Sequence, residues 1–203
     1  MEKDNIKLSN TELLLEHELI ARIKNSDLLM EIFEKAQYLE LDHYYVGAGC
    51  IVQTVWNQLT NRDMNYGIED VDIVYFNGMD LSEEAEDEVI QKGKGIFKDI
   101  PYKIDIKNQA RVHLWYGDKF GFEIKPYQSV EDGIGTWPTT ASSLGVRREN
   151  NNHWKIYAPF GLSDLFHLMV KANKKLITEQ IFMNKANKWK SKWPELIVHP
   201  WSP

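Results

Sequence analysis

Asp70-Val71-Asp72-Ile73-Val74-Tyr75-Phe76 reads as a β-strand with two carboxylates at its start. Its β-branched and aromatic residues favour extended backbone. Residues i and i+2 of a strand share one face, roughly 6–7 Å apart. Two like charges so placed fit either a solvated strand end or a hard divalent cation with oxygen ligands. Upstream, His43-Tyr44-Tyr45-Val46 predicts a short strand running into Gly47-Ala48-Gly49-Cys50, and Ile51–Leu59 predicts a helix. Such a small-residue turn either serves close packing or lets the helix amides meet an anion such as phosphate. Downstream, Tyr102–Lys107 predicts another strand, carrying Asp105 between apolar neighbours. Asp105 is either a surface residue or, if its strand lies beside the first, the third member of a triad with Asp70 and Asp72.

Further out, Ser9-Asn10-Thr11-Glu12 offers a capping box. It opens a helix with Leu13, Leu14, Leu15, Leu19, Ile20 and Ile23 at helical spacing. Ser26-Asp27 starts a second helix with Leu28, Leu29, Ile32, Phe33 and Ala36 on one face. Ser82 caps an acidic helix reaching about Gln91, and Arg111–Trp115 reads as a strand. Beyond these come a short helix at Ser129–Gly135 and strands at Ser142–Arg147 and Trp154–Tyr157, joined as a hairpin across Asn150-Asn151-Asn152. Leu162–Ala172 and Thr178–Lys192 complete the expectation as helices. The order predicts an α/β (α+β) fold: a mixed central sheet flanked by helices, with a small C-terminal helical lobe. Residues 1–124 are expected to form the core with its N-terminal helices, and 125–203 a smaller part packed on it.

Composition narrows the function. The chain has 203 residues, 43% hydrophobic and 27% charged, which suits a globular protein with its own core. A net charge of −6 disfavours long nucleic acid as a partner. The single Cys50 excludes a disulfide scaffold and a Cys-rich zinc site. No apolar run reaches membrane-spanning length, and the polar start Met1–Asn5 has no apolar region behind it, so a cytoplasmic protein is expected. The lysines Lys171, Lys174, Lys175, Lys185, Lys188, Lys190 and Lys192 make the C-terminal third locally basic, either as a solvated face or as an attractor of anions.

A glycine turn entering a helix, a D-x-D strand and one further Asp on the next strand resemble the DNA polymerase beta-like nucleotidyltransferases. More narrowly, four strings resemble a bacterial nucleotidyltransferase family: Gly47–Asn57, Asp70–Phe76, Lys107–Trp115 and Ala158–Phe166. So do Trp137–Ala141 and Gly145–Arg147. The resemblance implies a metal-dependent transfer of NMP from an NTP, ATP among them, to an unspecified hydroxyl acceptor, with release of pyrophosphate. It assigns Asp70, Asp72 and Asp105 as catalytic residues and as ligands of Mg²⁺ or Mn²⁺. It assigns Gly47, Ala48, Gly49, Cys50, Arg111 and Arg147 to nucleotide binding, although either arginine equally reads as a strand-pinning salt bridge. The chain departs from the family pattern at Val52, where Arg is expected, and at Asn77, where Asp is expected. Ala48 and Cys50 also lack the hydroxyl that a Ser would offer a phosphate. The alternative reading is a catalytically weak or inactive nucleotide-binding protein, or a toxin–antitoxin-type interaction protein. Oligomeric state is not legible.

Overall fold

The computed structural model describes residues 9–149 and 151–201. In chain order its elements are α1 (Asn10–Lys24), α2 (Asp27–Ala36), β1 (Tyr44–Gly47), α3 (Gly49–Leu59), β2 (Asp70–Tyr75), α4 (Glu83–Ile96), β3 (Lys103–Asn108) and α5 (Val112–Phe120). There follow α6 (Val130–Ile134), β4 (Gly145–Arg148), β5 (Trp154–Tyr157), α7 (Ser163–Phe166), β6 (Met169–Val170), α8 (Glu179–Lys192) and β7 (Ile197–Val198). Five strands form a mixed sheet in the order β3-β2-β1-β4-β5. Only β2 and β3 run parallel in it, and α4 makes the crossover that parallel neighbours require. The fold is the expected mixed sheet flanked by helices. β4 and β5, from the second part of the chain, extend the same sheet, β4 pairing with β1 and β5 with β4.

Strand alternation gives the sheet two unlike faces. Tyr44 and Val46 of β1, Val71, Ile73 and Tyr75 of β2 and Ile106 of β3 join the main core. That core also takes Leu28, Leu29, Ile32, Phe33 and Ala36 of α2 and Cys50, Ile51, Val52, Val55 and Trp56 of α3. The opposite face carries Tyr45 and Val74, which pack in a smaller cluster with Val130 and Ile134 of the α6 region. Asp70, Asp72 and Asp105 alternate onto this second face.

Helix ends follow the side-chain chemistry read from sequence. The hydroxyls of Ser9, Ser26, Ser82 and Thr178 accept from Glu12, Leu29, Ala85 and Ile181 amides respectively. The reciprocal half of the Ser9 capping box does not form. The Glu12 carboxylate instead accepts from the Leu162 amide at 2.8 Å, tying α1 to the C-terminal part.

Two predicted elements are corrected. Arg111–Trp115 is a 3-10 turn at Gln109–Arg111 followed by α5, not a strand. The Asn108 side chain caps the Ala110 amide and starts the coil at 3.1 Å. A short apolar-aromatic run fits strand and helix equally until packing decides. Here Val112 and Tyr116, four apart, are buried. Leu162–Ala172 holds only the four-residue α7, because Leu168 takes a left-handed φ of 57° and turns the chain into β6, which pairs with β7. The β4–β5 hairpin forms as expected, with Asn150 of its turn outside the described residues. The reading of Met1–Asn5 also lies outside them.

A tryptophan cluster anchors the C-terminal helix. The Trp56 ring meets Trp189 of α8 and Trp193 at its C-terminal cap edge-on at 5.1 and 5.7 Å, so these two residues, four apart, are packing groups. Fully buried Asn57 ties the cluster down. Its amide donates to the Met64 and Tyr66 carbonyls at 3.1 and 2.9 Å, and its oxygen accepts from Trp193 Nε1 at 2.8 Å. Removing that side chain strands a buried indole N–H and two carbonyls. Asn57→Ala is therefore expected to cost about 2–4 kcal/mol in urea unfolding. A change below half a kcal/mol would show that the network does not hold α8 to the core.

Candidate active site

Register brings the carboxylates together. β2 and β3 pair Asp70 with Lys103, Asp72 with Asp105 and Val74 with Lys107. Across the other edge of β2, Gly47 pairs with Asp72. One face of three neighbouring strands thus carries Asp70, Asp72, Asp105, Lys103 and Lys107 beside the β1–α3 turn.

Asp72 sits deepest. Its carboxyl is pushed up to about 6, chiefly by burial and then by the charges of Asp70 and Asp105, with Lys107 and Lys185 opposing. Asp105 is held in an ion pair by Lys107, and Lys103 Nζ stands 4.0 Å away. Lys185 of α8 faces the same carboxylates. Burial pulls its ammonium pKa down while Asp72 and Asp70 hold it up, and its Nζ lies 4.5 Å from the Trp189 ring centre. Among the described residues no three His, Cys, Asp or Glu side chains stand as a ready-made metal cluster. The charge on this face is shared between the carboxylates and Lys103, Lys107 and Lys185.

The glycine turn is built for packing first. A Cβ on Gly47 would lie 2.7 Å from both the Leu144 carbonyl and the Trp137 ring, so the residue must be glycine to admit the indole. Gly49 has no such neighbour, since a Cβ there would reach only Gln53 at 3.5 Å. Ala48 adopts φ 52°, a conformation that L-residues other than Gly rarely take, and it supplies α3 with no side-chain cap. The first amides of α3 are thereby left without a capping side chain next to Asp72. Cys50 is fully buried, and burial with the Asp72 charge raises its thiol pKa. It is a packing residue, with its thiol directed to the Gly47 carbonyl at 3.5 Å. Val52 is likewise core.

Neither of the two expected phosphate-binding arginines pairs with these carboxylates. Arg111 pairs with Glu86 and donates to the Leu81 carbonyl at 3.0 Å, pinning α4 to the end of β3. Arg147 pairs with Glu149 at 2.8 Å and lies over the Tyr45 ring at 5.6 Å. Asn77, at the position where Asp was expected, clasps Asn108 through two 2.9 Å bonds that join the ends of β2 and β3.

Residues missed by the sequence reading complete the site. A cavity of about 260 Å³ has Asp72, Lys107 and Lys185 on one side and Trp115, Tyr116 and Trp137 on another. Lys107 was legible as the next same-face position after Asp105, whereas Lys185 stood among seven lysines with nothing to single it out. A larger cleft of about 840 Å³ opens at the far end of β2, lined by His43, Phe76, Met79 and His113. It holds none of the three aspartates, whereas the smaller cavity has Asp72 in its lining.

The strand–turn–helix stands beside carboxylates on adjacent strands of a mixed sheet, an arrangement that the comparisons with known proteins place among nucleotidyltransferases. A solved NMR structure described as revealing a CCA-adding enzyme head domain superposes with TM-score 0.72 at 24% identity, covering 91% of this chain and 95% of that one. That likeness carries the fold. The nucleotidyltransferase family model matches residues 34–198, and the chain belongs to that family. No curated protein matches it. No helix among the described residues is long and apolar enough to cross a membrane.

The Asp72 environment makes a pH prediction. Its folded pKa lies above that of an unfolded aspartate, so its stabilising contribution is complete below about pH 4 and is lost as pH rises through about 6. Without added metal, Asp72→Asn is expected to raise stability near pH 7.5 by about 1–3 kcal/mol and to remove this part of the pH dependence. Thermal melts of both proteins between pH 4 and 8 check it. A destabilised variant would mean that the carboxylate is a structural anchor.

Proposed function

We propose that the protein transfers an NMP group from an NTP to a hydroxyl acceptor, with Asp70, Asp72 and Asp105 forming the metal-dependent centre. The observation that carries this reading is the desolvated Asp72 between two like charges, with a pKa pushed up to about 6. Hard oxygen donors gathered on one face fit a divalent cation, which would compete with the lysine ammoniums for them. When bound, Mg²⁺ or Mn²⁺ supplies charge neutralisation at phosphate and acceptor oxygens.

The protein's own groups divide the remaining work. Asp70 and Asp72, adjacent on β2, hold the cation and, with the uncapped amides of α3, frame the place for the triphosphate. Lys107 and Lys185 face the same carboxylates and offset negative charge as it builds on phosphate oxygens. Asp105 takes the proton of the acceptor hydroxyl. The acceptor oxygen bonds to the α-phosphorus, the bond to the bridging oxygen breaks, and pyrophosphate leaves with that electron pair. The acid–base role of Asp105 requires Lys107 to leave its carboxylate for the phosphates.

One observation favours a second reading, nucleotide binding without turnover: an ammonium already pairs with Asp105. The two are separated by incubating the protein with each α-labelled NTP, Mg²⁺ or Mn²⁺ and a cell extract as acceptor source. Transfer predicts a labelled acceptor and pyrophosphate, both reduced roughly 10³-fold by Asp72→Asn, the scale of several kcal/mol of charge stabilisation. NTP binding without pyrophosphate release, across all four nucleotides, identifies the second reading. Mg²⁺ with NTP is expected to raise the melting temperature of the wild type far more than that of the variant. Equal shifts would refute the role of Asp72 in either.

A further inference from the structure

The cavity beside Asp72 holds a polar group that the transfer chemistry does not use. Gln109 follows the end of β3 and is only 4% exposed, yet its carboxamide makes no hydrogen bond to any described residue. The other buried carboxamides behave differently. Asn57, Asn108 and Asn173 each bond to backbone or side-chain partners. The Gln109 amide atoms are not among the sealed, unpartnered polar atoms of the described residues, so they keep contact with solvent where the residue lines the cavity and a bound group can reach them. The Gln109 carboxamide packs against Gly133, so closely that any Cβ there would collide with its oxygen. The carboxamide thus lines a cavity to which Trp115 and Trp137 also contribute.

We propose that this cavity takes the nucleobase of the nucleotide and that Gln109 reads its edge, favouring adenine; this rests on the nucleotide-transfer reading above. Size and chemistry agree. At about 260 Å³ the cavity is slightly below the roughly 300–1,000 Å³ of drug-sized pockets and suits a planar base whose sugar and phosphates lie outside it. Indole rings offer sequence-tolerant stacking for any base, so selection falls to the polar lining, in which Gln109 is the one carboxamide. A glutamine amide offers adjacent N–H and C=O groups, which match the adjacent acceptor and amino group of adenine. The charged side of the same cavity, Asp72 with Lys107 and Lys185, leaves the phosphates next to the carboxylates.

Calorimetric titration of the whole protein with Mg²⁺ complexes of ATP, GTP, CTP and UTP, and with tripolyphosphate as a base-free probe, tests this. The wild type is expected to bind ATP about tenfold more tightly than the other three, the discrimination of one bidentate amide–base pair. Gln109→Leu, of similar volume, is expected to bring ATP down to the level of the others while leaving tripolyphosphate binding unchanged. Gln109→Glu, which can only accept, is expected to move the preference toward CTP and serves if the leucine variant does not fold. Equal affinities for all four nucleotides in the wild type, a pyrimidine preference, or an ATP preference that survives in Gln109→Leu would each overturn the assignment while leaving nucleotide transfer standing. If neither tripolyphosphate nor any NTP binds the wild type, the transfer reading fails first and this one with it.

Discussion

A parallel register sets Asp72 directly across from Asp105, and much of the molecule follows from keeping two like charges opposed on a half-buried sheet face. Such a pair opposes folding unless cations reach it. Lys107 reaches it from the same strand as Asp105, and Lys185 from a helix near the other end of the sequence. The packing that holds α8 in place, the Trp56–Trp189–Trp193 cluster and the Asn57 network, therefore also delivers a charge to the site. Stability of the C-terminal helix and electrostatics of the carboxylate face are one problem rather than two.

The strand–turn–helix and the D-x-D strand were legible because their signals are local. β-Branched runs, alternation and small residues at a turn act within a few positions. The same holds for the hydroxyl caps at Ser9, Ser26, Ser82 and Thr178. Failure came where a distant partner decides. Val112–Trp115 has the composition of a strand and becomes a helix because Asn108 starts a coil and the Tyr116 side packs inward. Leu162–Ala172 has helical spacing but breaks at Leu168, where β6 leaves to meet β7 from beyond α8.

The site shows the same division. Alternation put Asp70 and Asp72 on one face, whereas Asp105 could join them only if its strand lay beside theirs, which the β2–β3 register provides. Gly47 was read as either a packing or a phosphate glycine, and the Trp137 ring against it makes packing a firm requirement. Arg111 and Arg147 carried the charge expected of phosphate ligands, and in the fold Glu86 and Glu149 pair with them. Charge type is visible in a sequence. Which opposite charge lies nearest is decided by tertiary contacts.

The placement of β4 has a consequence for how the chain is made. β1 pairs with β2 on one edge soon after both are synthesised, but its other edge waits for β4, which follows α3, α4, α5 and α6 in the chain. Until then a growing polypeptide carries a bare row of backbone donors and acceptors on an apolar strand, the kind of surface on which nascent chains associate wrongly. Truncation before residue 145 would leave that edge permanently open. Folding of this sheet is thus tied to completion of the last third of the polypeptide, and the slow step of assembly is expected to be the late arrival of β4 rather than formation of the early helices.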